Sequence, residues 1–476
     1  MSGLLQQLGE IVAPTGIVTD SCDLQRFEVD GRAASGHAMA ALCPSTMDEL
    51  RSVVRTCFRA GVRLVVQGSN TGLVGAGVPD SSSGMVVLSL SKFKGGLDVD
   101  AANRSVTASA GILLSELNEA SGKAGLYFPV DLGADPSVGG MVAANTGGAR
   151  FISFGDVRRN VLGLEVVLFD EHATVLNLGG PLWKNNSAMD MKHLFIGTSG
   201  ALGIVTKATF ALQVSLTHRL TVMLALADDR CMLDLLARAE ATFGPNLTAF
   251  EGISGAALDT TLREMPRLRN PFSGSAPVYA VLMELTCGAL ADEERLETVL
   301  FEMIEPLFNT SSAKVLDAVV DRSDNLWAIR HAIPEALRRS GRIISHDIAL
   351  RRGDVVRFRE RAAALVTDQW PQLQLCDFGH IGDGGLHFNF VVPPTAKNLP
   401  ATISDDVRRC IFDLVVKEFG GSFSAEHGVG PSNMQFYNRY IDPNVRRLSG
   451  DLQKLISPSP IGRVDFAGNE RIGQHV

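Results

Sequence analysis

Two short stretches of this sequence carry residues able to bind a divalent cation. The first is Cys376 to Val392, CDFGHIGDGGLHFNFVV, in which two apolar segments flank the glycine-rich turn Gly382-Asp383-Gly384-Gly385. Glycines with one Asp between apolar segments read as the tight link of a β-hairpin. His380 lies just before that turn and His387 just after it, so the hairpin folds both imidazoles back to one end. The second stretch, Ser424-Ala425-Glu426-His427-Gly428-Val429-Gly430, adds a carboxylate and a third imidazole. A lone His in an apolar strand is most often a hydrogen-bonded structural residue. Two His and a Glu are a sufficient set for a divalent metal with positions open to substrate. Arg330, early in the helical stretch Asp324 to Arg339, is a candidate clamp, because a guanidinium binds a carboxylate through two parallel hydrogen bonds. Arg338, Arg339 and Arg342 read instead as a solvated basic face.

The elements that must position these residues are spread over 476 residues, a length that favours two or three domains. Hydrophobic residues make up 45% and charged residues 20%, as in an ordinary globular protein. A net charge of -8 without a long basic run gives no footprint for nucleic acid. No apolar run reaches the length of a membrane span. The start, MSGLLQQLGEIVAP, has neither the order of a secretory signal nor the Arg-rich character of a transit peptide. The seven cysteines are scattered and never spaced CxxC, which fits reduced thiols in a cytoplasmic protein.

Residues 1–44 read as an arm with little periodicity. A helix then opens with Ser45 as N-cap and buries Leu50, Val53, Val54 and Cys57; Gly61 ends it, and Arg63–Val66 forms a strand. Gln67 to Pro79 follows, QGSNTGLVGAGVP, with four glycines in ten residues. Such a loop can turn successive N–H groups inward as an anion nest, suited to a pyrophosphate, or serve only as a surface loop. It is neither GxGxxG nor GxxxxGK[ST]. Strands are expected at Met85–Leu90 and Ser105–Ala110, a helix over Leu113–Ser121, and a hairpin from Leu162–Phe169 and Thr174–Leu178. Pro129 to Gly148 is a second glycine-rich block against whose backbone a flat ring could lie, and Phe195 to Val205 is a third.

From Leu216 the glycine density falls. Strands are expected at 218–226, 247–252, 278–287 and near 313–320, with helices at 229–243 and 291–308: two βαβ-type units over one sheet. Asp405–Phe419 reads as an amphipathic helix, and Asp442 to Val476 as helix and turn.

From about Pro44 to Val464 the chain resembles the FAD-dependent D-2-hydroxyacid dehydrogenases, within the flavoproteins related to vanillyl-alcohol oxidase and p-cresol methylhydroxylase. The resemblance rests on the three glycine-rich segments, on Gly379-His380-Ile381-Gly382-Asp383-Gly384-Gly385-Leu386-His387-Phe388-Asn389, and on Glu426-His427-Gly428. It implies an α+β protein: a two-part FAD-binding domain of the p-cresol methylhydroxylase type over 1–214, an α+β cap domain with an antiparallel sheet over 215–420, and a helical segment over 421–476 that returns to the FAD domain. The loop residues Gly68, Ser69, Asn70, Thr71, Gly72, Leu73 and Gly75 would then hold the pyrophosphate. Asp131, Gly133, Ala134, Ser137, Gly139 and Gly140, with Asn145 and Ile204, would line the flavin. Family members with covalent FAD often carry a His in the first loop; residues 67–79 have none, so the FAD is expected to be non-covalent. His380, His387 and Glu426 are the implied ligands of a divalent metal, zinc by preference. Arg330, Asn389 and His427 would meet the substrate.

The implied reaction is oxidation of a D-2-hydroxy acid, of the D-2-hydroxyglutarate or D-lactate type, to the 2-oxo acid. The metal would lower the hydroxyl pKa, His427 would take its proton, and the Cα hydride would pass to flavin N5. Electrons would leave to an electron-transfer flavoprotein, a quinone or a cytochrome, and a homodimer is admitted as the assembly. Departures from the resemblance bear on the substrate. Pro334 and Ser345 stand where the hydroxyglutarate enzymes place a Thr and a Lys that hold a second carboxylate; Met189 replaces a Tyr, and Arg463-Val464 an Asn-Pro. Arg338, Arg342 or His346 are the residues that could compensate. Two rival readings stay open here: a metal hydrolase with structural glycine loops, and a non-catalytic flavin-binding subunit of an oxidase complex.

Overall fold

A computed structural model describes residues 2–12, 15–32, 34–288, 292–308, 314–397 and 399–468. The chain divides into two compact units, one made of 1–146, 156–215 and 426–476, the other of 147–155 and 216–425.

The first unit holds two sheets. β1 (Ile17–Val18), β2 (Ala38–Leu42), β3 (Arg63–Gln67) and β4 (Met85–Ser89) form one, in the order β1-β2-β4-β3, with β4 parallel to both β2 and β3. β5 (Leu97–Asp100) and β6 (Ser105–Ser109) begin the second; after the short β7 (Leu126–Tyr127) come β8 (Val161–Val167), β9 (Val175–Gly179) and β10 (Ile204–Ala211), and the short β11 (Gln213–Val214) pairs with β7. The second sheet is antiparallel in the order β5-β6-β10-β8-β9. The expected hairpin is thus β8–β9. The helix after Pro44 spans Met47–Arg59 and buries Leu50, Val53, Val54 and Cys57 completely. Its N-cap is Thr46, not Ser45. A reciprocal capping box needs Glu or Gln three residues on; Thr46 has Glu49 there, whereas Ser45 has only Asp48.

Residues 1–44 are not an irregular arm. They form the helices Ser2–Ile11 and Ser21–Glu28 and the strand β2. Each helix has fewer than three turns in which to show periodicity, yet Leu8 and Val12 bury against the first sheet's core, and Leu24 and Phe27 pack with Ala41 and Val87. Short helices of this kind are stabilised by tertiary packing more than by propensity.

The second unit centres on a sheet of eight strands. β12 (His218–Leu226), β13 (Leu247–Ser254), β14 (Tyr279–Cys287) and β15 (Val315–Asp321) lie in the order β15-β12-β14-β13, with the helices Met232–Phe243 and Glu293–Phe308 as the two crossovers. This is the split βαβ arrangement of two interleaved units, as the strand and helix pattern predicts. The sheet continues through β16 (Arg342–Ile344), β17 (Asp347–Ala349), β18 (Gln374–Gly379) and β19 (Gly385–Val392) in the order β13-β18-β19-β16, with β17 also on β19. The sequence reading omits the helices Gly255–Glu264 and Val355–Gln369. The segment expected as one helix over 405–419 is the helix Ile403–Asp413 followed by a wider π-helical turn, Leu414–Glu418. In the tail, the helix Pro443–Ile456 is present, and 469–476 lie outside the described residues.

Candidate active site

In the first unit the three glycine-rich segments join around one short helix, Val138–Ala144. Ser137 caps that helix by accepting from the Gly140 N–H at 3.3 Å, and the Ser137 N–H donates to Ser69 Oγ at 3.0 Å, which ties the second segment to the first. A Cβ on Gly68 would stand 2.1 Å from Ser137 Oγ, and one on Gly139 2.9 Å from Ala110 Cβ, so at both glycines a neighbouring side chain fills the space a methyl would need. The helix ends at Asn145, in the left-handed region at φ 53°. The N–H groups of Gly197 and Ser199, in the third segment, donate to the carbonyls of Val142 and Ala143.

Around this junction the backbone is presented outward. Asn70 (φ 57°) and Gly75 (φ 72°) curl the first loop, Gln67 anchors it through Nε2 to the carbonyls of Phe27 and Gly77, and Ser69, Thr71 and Gly72 are exposed. Gly133 and Ala134 are exposed as well, and a Cβ on Gly72 or Gly133 would meet nothing within 4 Å. A curled, uncovered backbone beside a helix N-terminus suits an anion, and small residues let a flat ring approach, so the arrangement fits FAD. Leu73 is half-buried within that loop. Two residues of the expected flavin lining spend their side chains elsewhere. The Asn145 amide donates to Asp156 and accepts from the Arg158 N–H, and the Ile204 side chain lies fully in the hydrophobic core, so each could offer a cofactor only backbone.

In the second unit β18 and β19 pair as the expected hairpin, with Phe378 opposite His387. The His380 carbonyl accepts from the N–H groups of Asp383, Gly384 and Gly385, which closes the turn. Gly384 has φ 92° and a Cβ there would strike the Leu350 carbonyl at 2.1 Å, so this glycine is required. The hairpin brings the His380 and His387 ring centroids to 5.2 Å.

Asp347, His387, Glu426 and His427 each offer a ligand atom, and these atoms lie within 4.8 Å of one another. Asp347 is opposite His387 in the β17–β19 register, with its Oδ1 at 3.7 Å from His387 Nδ1. The Asp347 Oδ2 and main-chain carbonyl both accept from the Ala425 N–H, which fixes the chain just ahead of Glu426. His387 and Glu426 of the expected ligand set are therefore together, with His427 beside them. Asn389 is buried two residues along β19, its amide donating to the His387 carbonyl.

His380 stands outside that four-residue group. Its Nδ1 lies 2.6 Å from Oε1 of Glu251, and the other carboxylate oxygen, Oε2, accepts from Arg330 Nε at 2.7 Å. Glu251 is fully buried. Burial alone would raise its pKa, but His380 and Arg330 outweigh that and hold it at about 2. It is thus a carboxylate facing two donors. Arg330 is itself buried, with its guanidinium 4.7 Å over the Phe378 ring.

Sequence reasoning missed Glu251 and Asp347. Glu251 sits in the middle of β13, in an apolar run, where a carboxylate can be buried only if paired; that is the signal that could have found it. Asp347 closes Ser345-His346-Asp347, beside two residues that bear on the second carboxylate clamp. His346 is fully buried, burial pushes its pKa down to about 3, and its Nδ1 contacts the Phe388 carbonyl at 2.7 Å. Arg338 and Arg339 are exposed and pair with Glu335, and Arg342 is exposed.

Residues 38–178 match the FAD binding domain family, and residues 216–461 match the C-terminal domain of the FAD linked oxidases. D-2-hydroxyglutarate dehydrogenase from Arabidopsis thaliana, a mitochondrial protein by its name, is 30% identical over 457 residues, 95% of this chain and 79% of that protein. D-2-hydroxyglutarate dehydrogenase from Xanthomonas citri is 32% identical over 89% of this chain and 88% of its own. Among solved structures, p-cresol methylhydroxylase with substrate bound superposes with a TM-score of 0.74 over 100% of this chain and 98% of its own, at 13% identity, which shows the shared fold. The chain belongs to the FAD-linked oxidases and is an FAD-dependent oxidoreductase of the vanillyl-alcohol oxidase and p-cresol methylhydroxylase fold. Among the described residues no helix is long and apolar enough to cross a membrane.

Proposed function

We propose that this oxidoreductase is a cytoplasmic dehydrogenase that oxidises a D-2-hydroxy acid to the 2-oxo acid with the help of a divalent metal. The observation that carries the reading is the convergence of Asp347, His387, Glu426 and His427 in a chain whose relatives are named D-2-hydroxyglutarate dehydrogenase. A donor set of imidazole nitrogen and carboxylate oxygen favours zinc among common divalent ions. His387 and Glu426, with His380 and Asp347 on either side, would hold it, and bound there it would acidify a substrate hydroxyl. The FAD would be held without a covalent bond and would accept the hydride.

The remaining work falls to side chains. His427 receives the hydroxyl proton at an imidazole nitrogen, the commonest side chain in that role. Arg330 orients the substrate carboxylate through its Nη groups, since its Nε is engaged by Glu251. Asn389 contributes an amide to the same end of β19. Pro334 and Ser345 carry no charge to hold a second carboxylate, and His346 is fully buried; this favours a monocarboxylate of the D-lactate type over a dicarboxylate.

The test is anaerobic mixing of the purified protein with D-lactate and, separately, with D-2-hydroxyglutarate while the flavin absorbance is followed. Bleaching by D-lactate alone is expected. Bleaching by D-2-hydroxyglutarate alone would overturn the monocarboxylate preference and leave the reaction intact. Flavin reduced by neither acid would turn the reading toward a non-catalytic flavin-binding subunit, and loss of activity on removing the metal separates metal-assisted chemistry from flavin chemistry alone.

A further inference from the structure

Within the second unit one buried carboxylate touches two residues that the proposed function uses for different tasks. Glu251 Oε1 meets His380 Nδ1 at 2.6 Å, and Glu251 Oε2 meets Arg330 Nε at 2.7 Å. All three residues are buried, and Glu251 completely so. They come from three elements: β13, the turn after β18, and the helix Asn325–Ser340. Gly252, next to Glu251, pairs with Gly379, next to His380, so the sheet register itself sets the spacing.

Both partners approach Glu251 as donors. Arg Nε–H can only donate, and an ionised carboxylate can only accept, so the His380 nitrogen facing Oε1 carries the proton. On a neutral imidazole that fixes the tautomer and leaves the lone pair on Nε2, the atom a cation needs. On the other side, engaging Arg330 through Nε fixes the guanidinium plane and directs the Nη1–Nη2 edge away from Glu251. That edge is the one able to take a carboxylate with two parallel hydrogen bonds.

We propose that Glu251 is a positioning residue that couples the two halves of the site: it orders His380 for metal binding and Arg330 for carboxylate binding through one side chain. This rests on the proposed function, which supplies the metal and the carboxylate substrate. Length and charge are both required. Gln at this position has one acceptor and one donor: with its oxygen accepting from Arg330 Nε, its N–H faces His380 Nδ1 and moves the imidazole proton to Nε2, the nitrogen a cation needs. Asp is one methylene shorter and cannot span both.

The test uses the FAD-loaded protein stripped of metal. Zinc affinity is read by competition with a chromophoric chelator. Carboxylate affinity is read with oxalate, which is not oxidised, through the change it makes in the flavin spectrum of the zinc-loaded protein. Glu251→Gln is expected to weaken zinc by about 10–100-fold, the usual cost of losing a carboxylate behind a ligating His, and to weaken oxalate as well. Arg330→Met removes the other partner and gives the carboxylate to His380 alone. It is expected to abolish the oxalate response while zinc binds as tightly as in the unsubstituted protein or more tightly.

This opposite behaviour separates positioning from damage. If Arg330→Met weakens zinc by the same factor as Glu251→Gln, both changes merely loosen the core, and the coupling is wrong. If Glu251→Gln retains FAD and binds zinc and oxalate within twofold of the unsubstituted protein, Glu251 positions neither partner. If the unsubstituted protein binds no zinc at all, it is the metal reading that fails, and this inference falls with it.

Discussion

The two units prepare for ligands by opposite means. In the first the candidate cofactor surface is backbone: exposed Gly72 and Gly133, Asn70 and Asn145 in the left-handed region, and a junction where Gly68 touches Ser137. In the second it is side chains: Glu251, Arg330, Asp347, His380 and His387, held at buried or half-buried positions by strand register and ion pairs. The difference follows from what each must recognise. A long cofactor with a fixed shape can be read by many weak main-chain contacts, none of which dominates. A proton transfer needs a few groups at defined atoms, and buried charges persist only when partnered. One substitution among the imidazoles and carboxylates proposed for the chemistry should therefore abolish it, whereas one in the glycine-rich segments of the first unit should act through packing.

The largest effect is expected at His427. Replacing it by Ala removes the proposed proton acceptor, so anaerobic reduction of the flavin by substrate should slow by about 10²–10⁴-fold while FAD content is unchanged. Reduction at the original rate would remove the base from His427 and break the contrast at its sharpest point.

Next comes Glu284, which shares the side-chain chemistry of the site without belonging to it. Its carboxylate takes two hydrogen bonds from Arg150 (2.7 and 3.0 Å), one from Thr248 Oγ1 and one from Trp327 Nε1. Removing one partner of such a buried pair costs about 3–5 kcal/mol, so Glu284→Ala should lower the melting temperature markedly. Burial by itself would raise the Glu284 pKa, but these donors and the Arg150 charge hold it below the ordinary 4.5. A depressed carboxyl pKa contributes stability that is present above about pH 4.5 and is lost as the pH falls toward the folded-state value. Melting temperatures measured from pH 7 down to pH 3 should show a shallower acid slope in Glu284→Gln than in the unsubstituted protein. Equal slopes would mean that the network does not hold the charge in place.

A smaller effect is expected in the first unit. Gly68→Ala puts a methyl where Ser137 Oγ now lies and forces that side chain to rotate away from the Gly140 N–H. Overpacking of this size costs about 1–3 kcal/mol. The readout is the FAD retained after gel filtration, which should fall, while the zinc affinity of the protein that keeps its flavin should not change.

How far the sequence could be read differs between the units for the same physical reason. Strands and helices with a strong periodic signal were legible to within a residue or two: the stripe Leu50, Val53, Val54 and Cys57 is buried as expected, and β12 and the β18–β19 hairpin fall where the pattern puts them. Residues 1–44 were not legible, because two short helices owe their form to tertiary packing. The glycine-rich segments were visible as composition, but their mutual contact depends on main-chain hydrogen bonds such as Ser199 N–H to the Ala143 carbonyl, which no residue type announces. Of the side-chain cluster, His387, Glu426 and His427 stood out through the combination of two His about a glycine turn with a following Glu-His-Gly, together with the family resemblance, and not through spacing alone. Glu251 and Asp347 did not, since their partners are 129 and 40 positions away and only strand register brings them close.

The smallest effect separates Arg330 from the other arginines associated with its helix. Arg338 and Arg339 lie two turns on and pair with Glu335 at 3.1 and 3.0 Å, but all three side chains are about half exposed. Exposed pairs of this kind contribute roughly 0–1 kcal/mol, because water screens them and two long side chains lose freedom. Replacing both by Ala should leave the KM for the hydroxy acid within about twofold, as expected for surface changes away from a site. Arg330 is buried under the opposite conditions, with a dry carboxylate on Nε and the Phe378 ring beneath it. A KM that rose on replacing Arg338 and Arg339 would show that the exposed end of the helix, and not only its buried face, meets the substrate, and would reopen the case for a second carboxylate.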